Sequence, residues 1–182
     1  MEKKKIRQRI KAEVLSLSAD EKTAQSCAVM ARLRSMIADR KPQIVALFSP
    51  LADEVQIAPL ADLLAQDYRV LLPRVGDRAD GTPEMEFFDY TPMSMASGAY
   101  GISEPQGVKP CRAEEIDLMV VPGVAFTREG VRLGRGKGYY DRYLSREGMR
   151  AYTIGVCYEC QLMEQLPCEE YDRKVAVVVA GE

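Results

Sequence analysis

Short apolar blocks alternate along this chain with longer polar stretches, and the spacing within each block sets its expected element. Residues 3–16 read as a strongly basic first helix, polar enough to offer few obvious core side chains. Ser18 and Glu21 form a Ser-x-x-Glu capping box for a second helix running to about Ala38, and Pro42 closes that region. The continuous apolar run 43–48 predicts a buried strand, 49–54 a loop, 57–66 a helix and 69–73 a short strand. A loop rich in Gly, Asp and Pro follows at 74–83, then a strand at 84–90 and a long irregular segment with Gly98, Gly101 and Pro105. Further buried strands are predicted at 117–121, 151–157 and 174–179, with a helix from Gly138 up to the breaker Gly148. Apolar runs alternating with helices predict an α/β fold with a mainly parallel sheet, whose ligands bind beyond the carboxyl ends of the strands. That rule directs attention to Phe48-Ser49 and to Val121-Pro122-Gly123.

The length of 182 residues, 47% hydrophobic, supplies one substantial core and too little for two ordinary domains, so residues 1–182 are expected to form one domain. The net charge of −2 argues against general nucleic-acid binding, and the basic residues near the start are not interleaved with aromatics. No run reaches membrane-spanning length, and Glu13 with Ser16 through Glu21 interrupts any secretory apolar region. The five cysteines are odd in number and irregularly spaced, which fits a reducing cytoplasm better than a disulfide framework. Cys157 and Cys160 form C-x-x-C, but zinc there would need ligands from Cys168 and from Cys111 or a carboxylate. The chain contains no histidine, which removes Ser-His and Cys-His nucleophilic systems. Chemistry falls to carboxylates, Lys, Arg, Tyr, backbone donors or a metal.

The string 132–144 concentrates such groups. Gly134, Gly136 and Gly138 alternate with Arg135 and Lys137 after Arg132, so that backbone N–H groups and fixed cations are open to a polyphosphate. Asp141, four residues after Lys137, is expected on the same helical face, placed to hold Mg²⁺ against bound phosphates. The same residues also fit a glycine-rich turn with a surface Lys137–Asp141 pair. A Walker A loop is excluded by Val131 and Gly138, and a dinucleotide fingerprint by Tyr139. Ser49 and Glu54 are expected to flank a cleft opposite this loop. Of Tyr139, Tyr140 and Tyr143, at least one is expected in the core with its hydroxyl satisfied, and Met85, Phe87 and Phe88 read first as strand packing.

Residues 121–126, Val-Pro-Gly-Val-Ala-Phe, followed by 132–144, closely resemble the signature of the 5-formyltetrahydrofolate cyclo-ligase family. The likeness extends over essentially the whole chain, through Lys3-x-x-x-Arg7, Asp53-Glu54-Val55, the Gly-Ile-Ser-Glu-Pro run 101–105 and the Glu-Tyr-Asp run 170–172. It implies a three-layer α/β fold related to sugar-phosphate isomerases and CoA transferases. The implied activity is ATP- and Mg²⁺-dependent closure of 5-formyltetrahydrofolate to 5,10-methenyltetrahydrofolate, with release of ADP and phosphate. By that resemblance Lys3, Arg7 and the run Arg132, Leu133, Gly134, Arg135, Gly136, Lys137, Gly138, Tyr139 and Tyr140 contact ATP. Ser49, Glu54 and Arg135 through Tyr139 border the folate, Arg135 and Lys137 act catalytically, and Asp141 with Asp172 holds the metal. One departure stands in the C-terminal segment, where a further aspartate that family members often carry is Ala176. Two other readings of the residues remain open: a sugar-phosphate isomerase without nucleotide dependence, and a noncatalytic nucleotide- or folate-binding module.

Overall fold

The computed structural model describes residues 2–98 and 101–182. Helix α1 (Lys3–Ser16) is followed by α2 (Ala19–Arg40), whose start is fixed by the expected capping box: Glu21 N donates to Ser18 Oγ, and Ser18 N donates to Glu21 Oε2. α1 is less polar in effect than its composition suggests. Ile6, Ile10 and Val14, spaced four apart, are buried in the main core, each worth about 1.5–3 kcal/mol of apolar burial.

Six strands make the central sheet. These are β1 (Ile44–Ala46), β2 (Arg69–Asp77), β3 (Pro83–Asp89), β6 (Leu118–Pro122), β9 (Tyr152–Cys157) and β10 (Val177–Ala180), in the order β10-β9-β6-β1-β2-β3. All neighbours run parallel except β2 and β3, which pair antiparallel. Two antiparallel ribbons lie outside it, β4 (Met95–Ser97) with β5 (Ser103–Pro105) and β7 (Ala125–Phe126) with β8 (Arg132–Leu133). The period of two along the strands divides the core between the sheet's faces. Val45, Leu72 and Val120 pack with α1, α2 and α3 (Ala58–Leu64), whereas Ala46, Leu71 and Val121 pack with Phe126 and with Tyr143 of α4 (Tyr139–Leu144). The result is the expected three-layer α/β arrangement with a mainly parallel sheet.

Several boundaries differ from the sequence-based expectation, each for a local reason. The loop expected at 74–83 is mostly hairpin, because β2 continues to Asp77 opposite Pro83 and leaves only 78–82 as the turn. The helix expected from Gly138 is six residues long: Gly138, with φ of 69°, caps it from outside, and after Leu144 the bonds tighten to Ser145 N on Arg142 O and Arg146 N on Tyr143 O, which ends it well before Gly148. The final strand begins at Val177 because Val175 N is taken by Gly130 O and Ala176 N by Thr153. Within the long irregular segment the β4–β5 ribbon forms, and residues 99 and 100 lie outside the described set. Cys157 ends β9 as a buried free thiol, pushed up to about 12 by burial.

Candidate active site

The carboxyl ends of β1 and β6 open on the glycine loop that links β8 to α4, where the switch-point rule places a ligand site. The loop is gripped from three directions. From α1, Arg7 Nε donates to Gly134 O at 2.7 Å. From the segment after β1, Asp53 and Glu54 hold the Arg135 guanidinium, with Nε to Glu54 Oε1 at 3.0 Å and Nη1 to Asp53 Oδ2 at 3.1 Å. From α4, Arg142 bonds Lys137 O and reaches Pro83 O at 3.1 Å. Gly136 and Gly138 take φ of 108° and 69°, values that disfavour any side chain and leave their amides uncovered.

Two cavities meet at this loop. One, of about 240 Å³, has largely apolar walls from Phe48, Pro73, Val75, Met85, Tyr139 and Tyr140, with Glu54 and Glu104 among its polar groups. The other, of about 600 Å³, is charged and includes Lys3, Arg7, Gly136, Arg142 and Asp172. Gly134, Lys137, Gly138 and Asp141 line both. The loop is therefore a shared wall.

Charges in the wall are arranged by burial. Arg132 is 5% exposed; its Nη2 donates to Asp141 Oδ1 at 2.8 Å and its Nη1 to Pro122 O at 3.3 Å, while Nε is buried without a protein partner. Asp141 Oδ1 also accepts Arg173 N at 3.1 Å. The expected Lys137–Asp141 pair is absent, because Lys137 precedes the Gly138 cap and so shares no helical face with Asp141. Lys137 is exposed, and no carboxylate among the described residues lies within ion-pair distance of it. Lys3 Nζ meets Asp172 Oδ2 at 2.7 Å and Glu169 Oε2 at 3.0 Å. Burial alone would raise the Asp172 carboxyl, but the bonds from Lys3 and Glu169 N outweigh it and hold it below the ordinary value. Asp53 and Glu54 share one guanidinium yet shift in opposite directions. Deeper burial pushes Glu54 up against the pull of Arg135, whereas Arg135 overcomes the lesser burial of Asp53 and brings it down.

The residues singled out in the sequence thus gather here, divided between the two cavities. Lys3, Arg7, Gly136 and Asp172 face the charged cavity, while Arg132, Arg135, Tyr139 and Tyr140 line the apolar one. Leu133 packs its side chain into the core and leaves only its backbone beside the charged cavity. Ser49 lines the apolar cavity and donates to Ser103 O at 3.2 Å. Tyr143 is the tyrosine that enters the core, against the edge of Phe87, but its hydroxyl is buried without a hydrogen-bond partner among the described residues, contrary to the expected satisfaction. Met85 both packs in the sheet and lines the apolar cavity. Ala176 is exposed with its N–H tied to Thr153 Oγ1 at 2.9 Å, so its methyl neither packs in the core nor offers a metal ligand.

Sequence reasoning missed three supports. Asp53 orients Arg135, and its place beside Glu54 was the available signal. Gln161 is 3% exposed and donates from Nε2 to Gly123 O and Val124 O, fixing the exit of β6; nothing in its neighbourhood marks it. Glu104 sits in the Gly-Ile-Ser-Glu-Pro run without an assigned role.

The family model described as the 5-formyltetrahydrofolate cyclo-ligase family matches residues 1–181. The chain belongs to this family. It is accordingly a ligase enzyme of folate metabolism, and the names of the family and its relatives support cyclisation of 5-formyltetrahydrofolate to methenyltetrahydrofolate as its class of reaction. Among curated relatives, it is similar to the 5-formyltetrahydrofolate cyclo-ligase of Mus musculus, 27% identical with 97% of this chain and 92% of that one covered. It is likewise similar to that of Haemophilus influenzae, 30% identical with 96% and 97% covered. Among solved structures, the 5,10-methenyltetrahydrofolate synthetase of Aquifex aeolicus superposes with a TM-score of 0.86 at 34% identity, covering 100% of this chain and 91% of that one.

Proposed function

We propose that this enzyme converts 5-formyltetrahydrofolate to 5,10-methenyltetrahydrofolate with ATP as co-substrate, and that the charged cavity takes the nucleotide while the apolar cavity takes the folate ring. The observation carrying this reading is the shared wall: Gly134, Lys137 and Gly138 border both cavities, so a phosphoryl group held on one side of the loop can reach an acceptor on the other. A formamide oxygen leaves poorly. Transfer of the γ-phosphoryl group to that oxygen makes it a phosphate leaving group; N10 then attacks the formyl carbon, the C–O bond to phosphate breaks and N10 loses its proton. The products are the methenyl amidinium, ADP and phosphate. Such a transfer asks the protein for position and charge rather than for a nucleophile, which suits a chain without histidine.

In this reading Lys3, Arg7 and the backbone from Leu133 through Gly138 receive the nucleotide, and Lys137, an exposed cation with no ion-pair partner among the described residues, meets the transferred phosphoryl group. Arg132 acts mainly from beneath, by holding Asp141. Arg135, released from Asp53, neutralises the developing phosphate at the folate side. Tyr139 and Tyr140 bound the ring. Asp141 and Asp172 both line the charged cavity, and two carboxylates beside a phosphate cradle fit Mg²⁺, which is typically held by one or two carboxylates with substrate phosphates supplying the rest. Bound there, the ion would neutralise phosphate charge as the γ-group departs. Omission of nucleotide or of Mg²⁺ is expected to abolish formation of the near-ultraviolet methenyl band and of inorganic phosphate together. Full-rate product after exhaustive nucleotide removal refutes the reading.

A further inference from the structure

We propose that Glu104 is a substrate-binding residue that accepts N–H groups from the pterin ring of the folate. The inference deepens the folate assignment of the apolar cavity and rests on it. Glu104 lies on β5, only 7% exposed, and lines that cavity together with Val75 and Met85. Its carboxylate is fixed in pose. Val75 N donates to Oε1 at 3.1 Å from β2, and the backbone of Gly98 lies so close that any side chain there would strike the carboxylate.

What distinguishes this acid is its lack of a cation. Among the described residues no Lys or Arg nitrogen lies within 4 Å of it, whereas Glu54, the other buried acid of the cavity, is engaged by Arg135 Nε and Leu51 N. A buried carboxylate with one neutral donor among the described residues has acceptor capacity left over, and leaving that capacity unused in an apolar setting is costly. The aminopyrimidinone edge of a pterin presents adjacent ring N–H and exocyclic NH₂ donors, a pair that a carboxylate accepts side by side in the manner of a guanidinium. Glu54 is then left to its work on Arg135, and Glu104 reads the ring.

The alternative is a purely structural brace between β2 and the β4–β5 ribbon. The two are separated by measuring, by calorimetry without ATP, the affinity of wild type and E104Q for 5-formyltetrahydrofolate and for its analogue in which the 2-amino group is replaced by methyl. Wild type is expected to bind the parent about 10- to 100-fold more tightly than the analogue. E104Q is expected to bind the two within a fewfold of each other, at an ATP affinity equal to that of wild type. A folded E104Q that discriminates as wild type does overturns the proposal. So does a wild type that binds parent and analogue equally, in which case the folate assignment stands and Glu104 alone is wrong. A wild type that binds neither overturns the assignment of the cavity and the proposal with it. Should E104Q not fold, E104D replaces it, keeping the charge and shortening its reach: weaker binding of the parent with unchanged analogue binding supports the contact, and equal weakening of both, or of neither, overturns it.

Discussion

The two cavities beside the glycine loop are built by different means. The apolar one takes part of its wall from central strands that the sheet would place there in any case, through Pro73, Val75, Met85 and Pro122. The charged one is assembled from remote segments by polar contacts, with α1 joined to the C-terminal region through Lys3–Asp172 and to the loop through Arg7–Gly134. Strand packing is rigid and insensitive to salt, whereas partly exposed ion pairs are individually weak and screened. The difference teaches that the cavity proposed for the ring leans on strands of the core, while the one proposed for the nucleotide is held by charges that a polyphosphate would take over.

The sharpest break of that contrast is Arg135→Ala, because this guanidinium lines the apolar cavity from the loop that walls both. A loss of about 100- to 1000-fold in kcat/KM is expected if it meets charge developing in the transition state. Methenyl formation under saturating ATP measures it, with Asp53→Asn as the companion: Asp53 only orients the arginine, so its loss is expected to be smaller. Equal losses in the two variants would make the Asp53–Arg135 clasp structural.

Asp141→Asn is expected next. It should reduce turnover strongly, with partial recovery at raised Mg²⁺, and it should also lower stability by about 1–3 kcal/mol, since the buried Arg132 loses its charged acceptor while its Nε already lacks a protein partner. Denaturant unfolding alongside activity checks both parts, and ordinary turnover at limiting Mg²⁺ would remove Asp141 from the metal site.

The smallest effect belongs to the Lys3–Asp172 contact. Because Asp172 is held below its ordinary value of 3.8, it contributes stability that is present above that pH and is lost as pH falls through the lower folded value. Asp172→Asn should therefore lower stability by up to about 1 kcal/mol at neutral pH and converge with wild type below about pH 4, which flattens the acid limb, alongside a weaker response to ATP. An acid limb identical to that of wild type would show that the pair does not hold α1 in solution. Substitution is the appropriate tool here, since truncating the first eight residues would also remove Ile6 from the core.

The order of elements, the parallel sheet and the loop were legible because each depends on local pattern: apolar runs, a capping box, alternating glycines. The grouping of Ser49, Glu54 and the loop was legible from the strand-end rule. What escaped depends on pairing across the chain. The extension of β2 was set by its partner β3, the start of α4 by the left-handed Gly138, and the partner of Asp141 by Arg132 at the end of a ribbon. Gln161 has no local signature, because it acts on residues far away in sequence, and the coupling of Asp53 to Arg135 is signalled locally only by its neighbour Glu54.

The contact between Lys3 and Asp172 spans 169 positions. During synthesis α1 is among the first segments made, yet its 14 residues are marginal as an isolated helix and its partners lie near the end of the chain. The charged cavity therefore cannot close until almost the whole polypeptide has left the ribosome, and at translation rates of about 5–20 residues per second that is a delay of many seconds. A nascent or prematurely terminated chain lacking Asp172 would carry the glycine loop and its arginines but not the wall that completes their pocket.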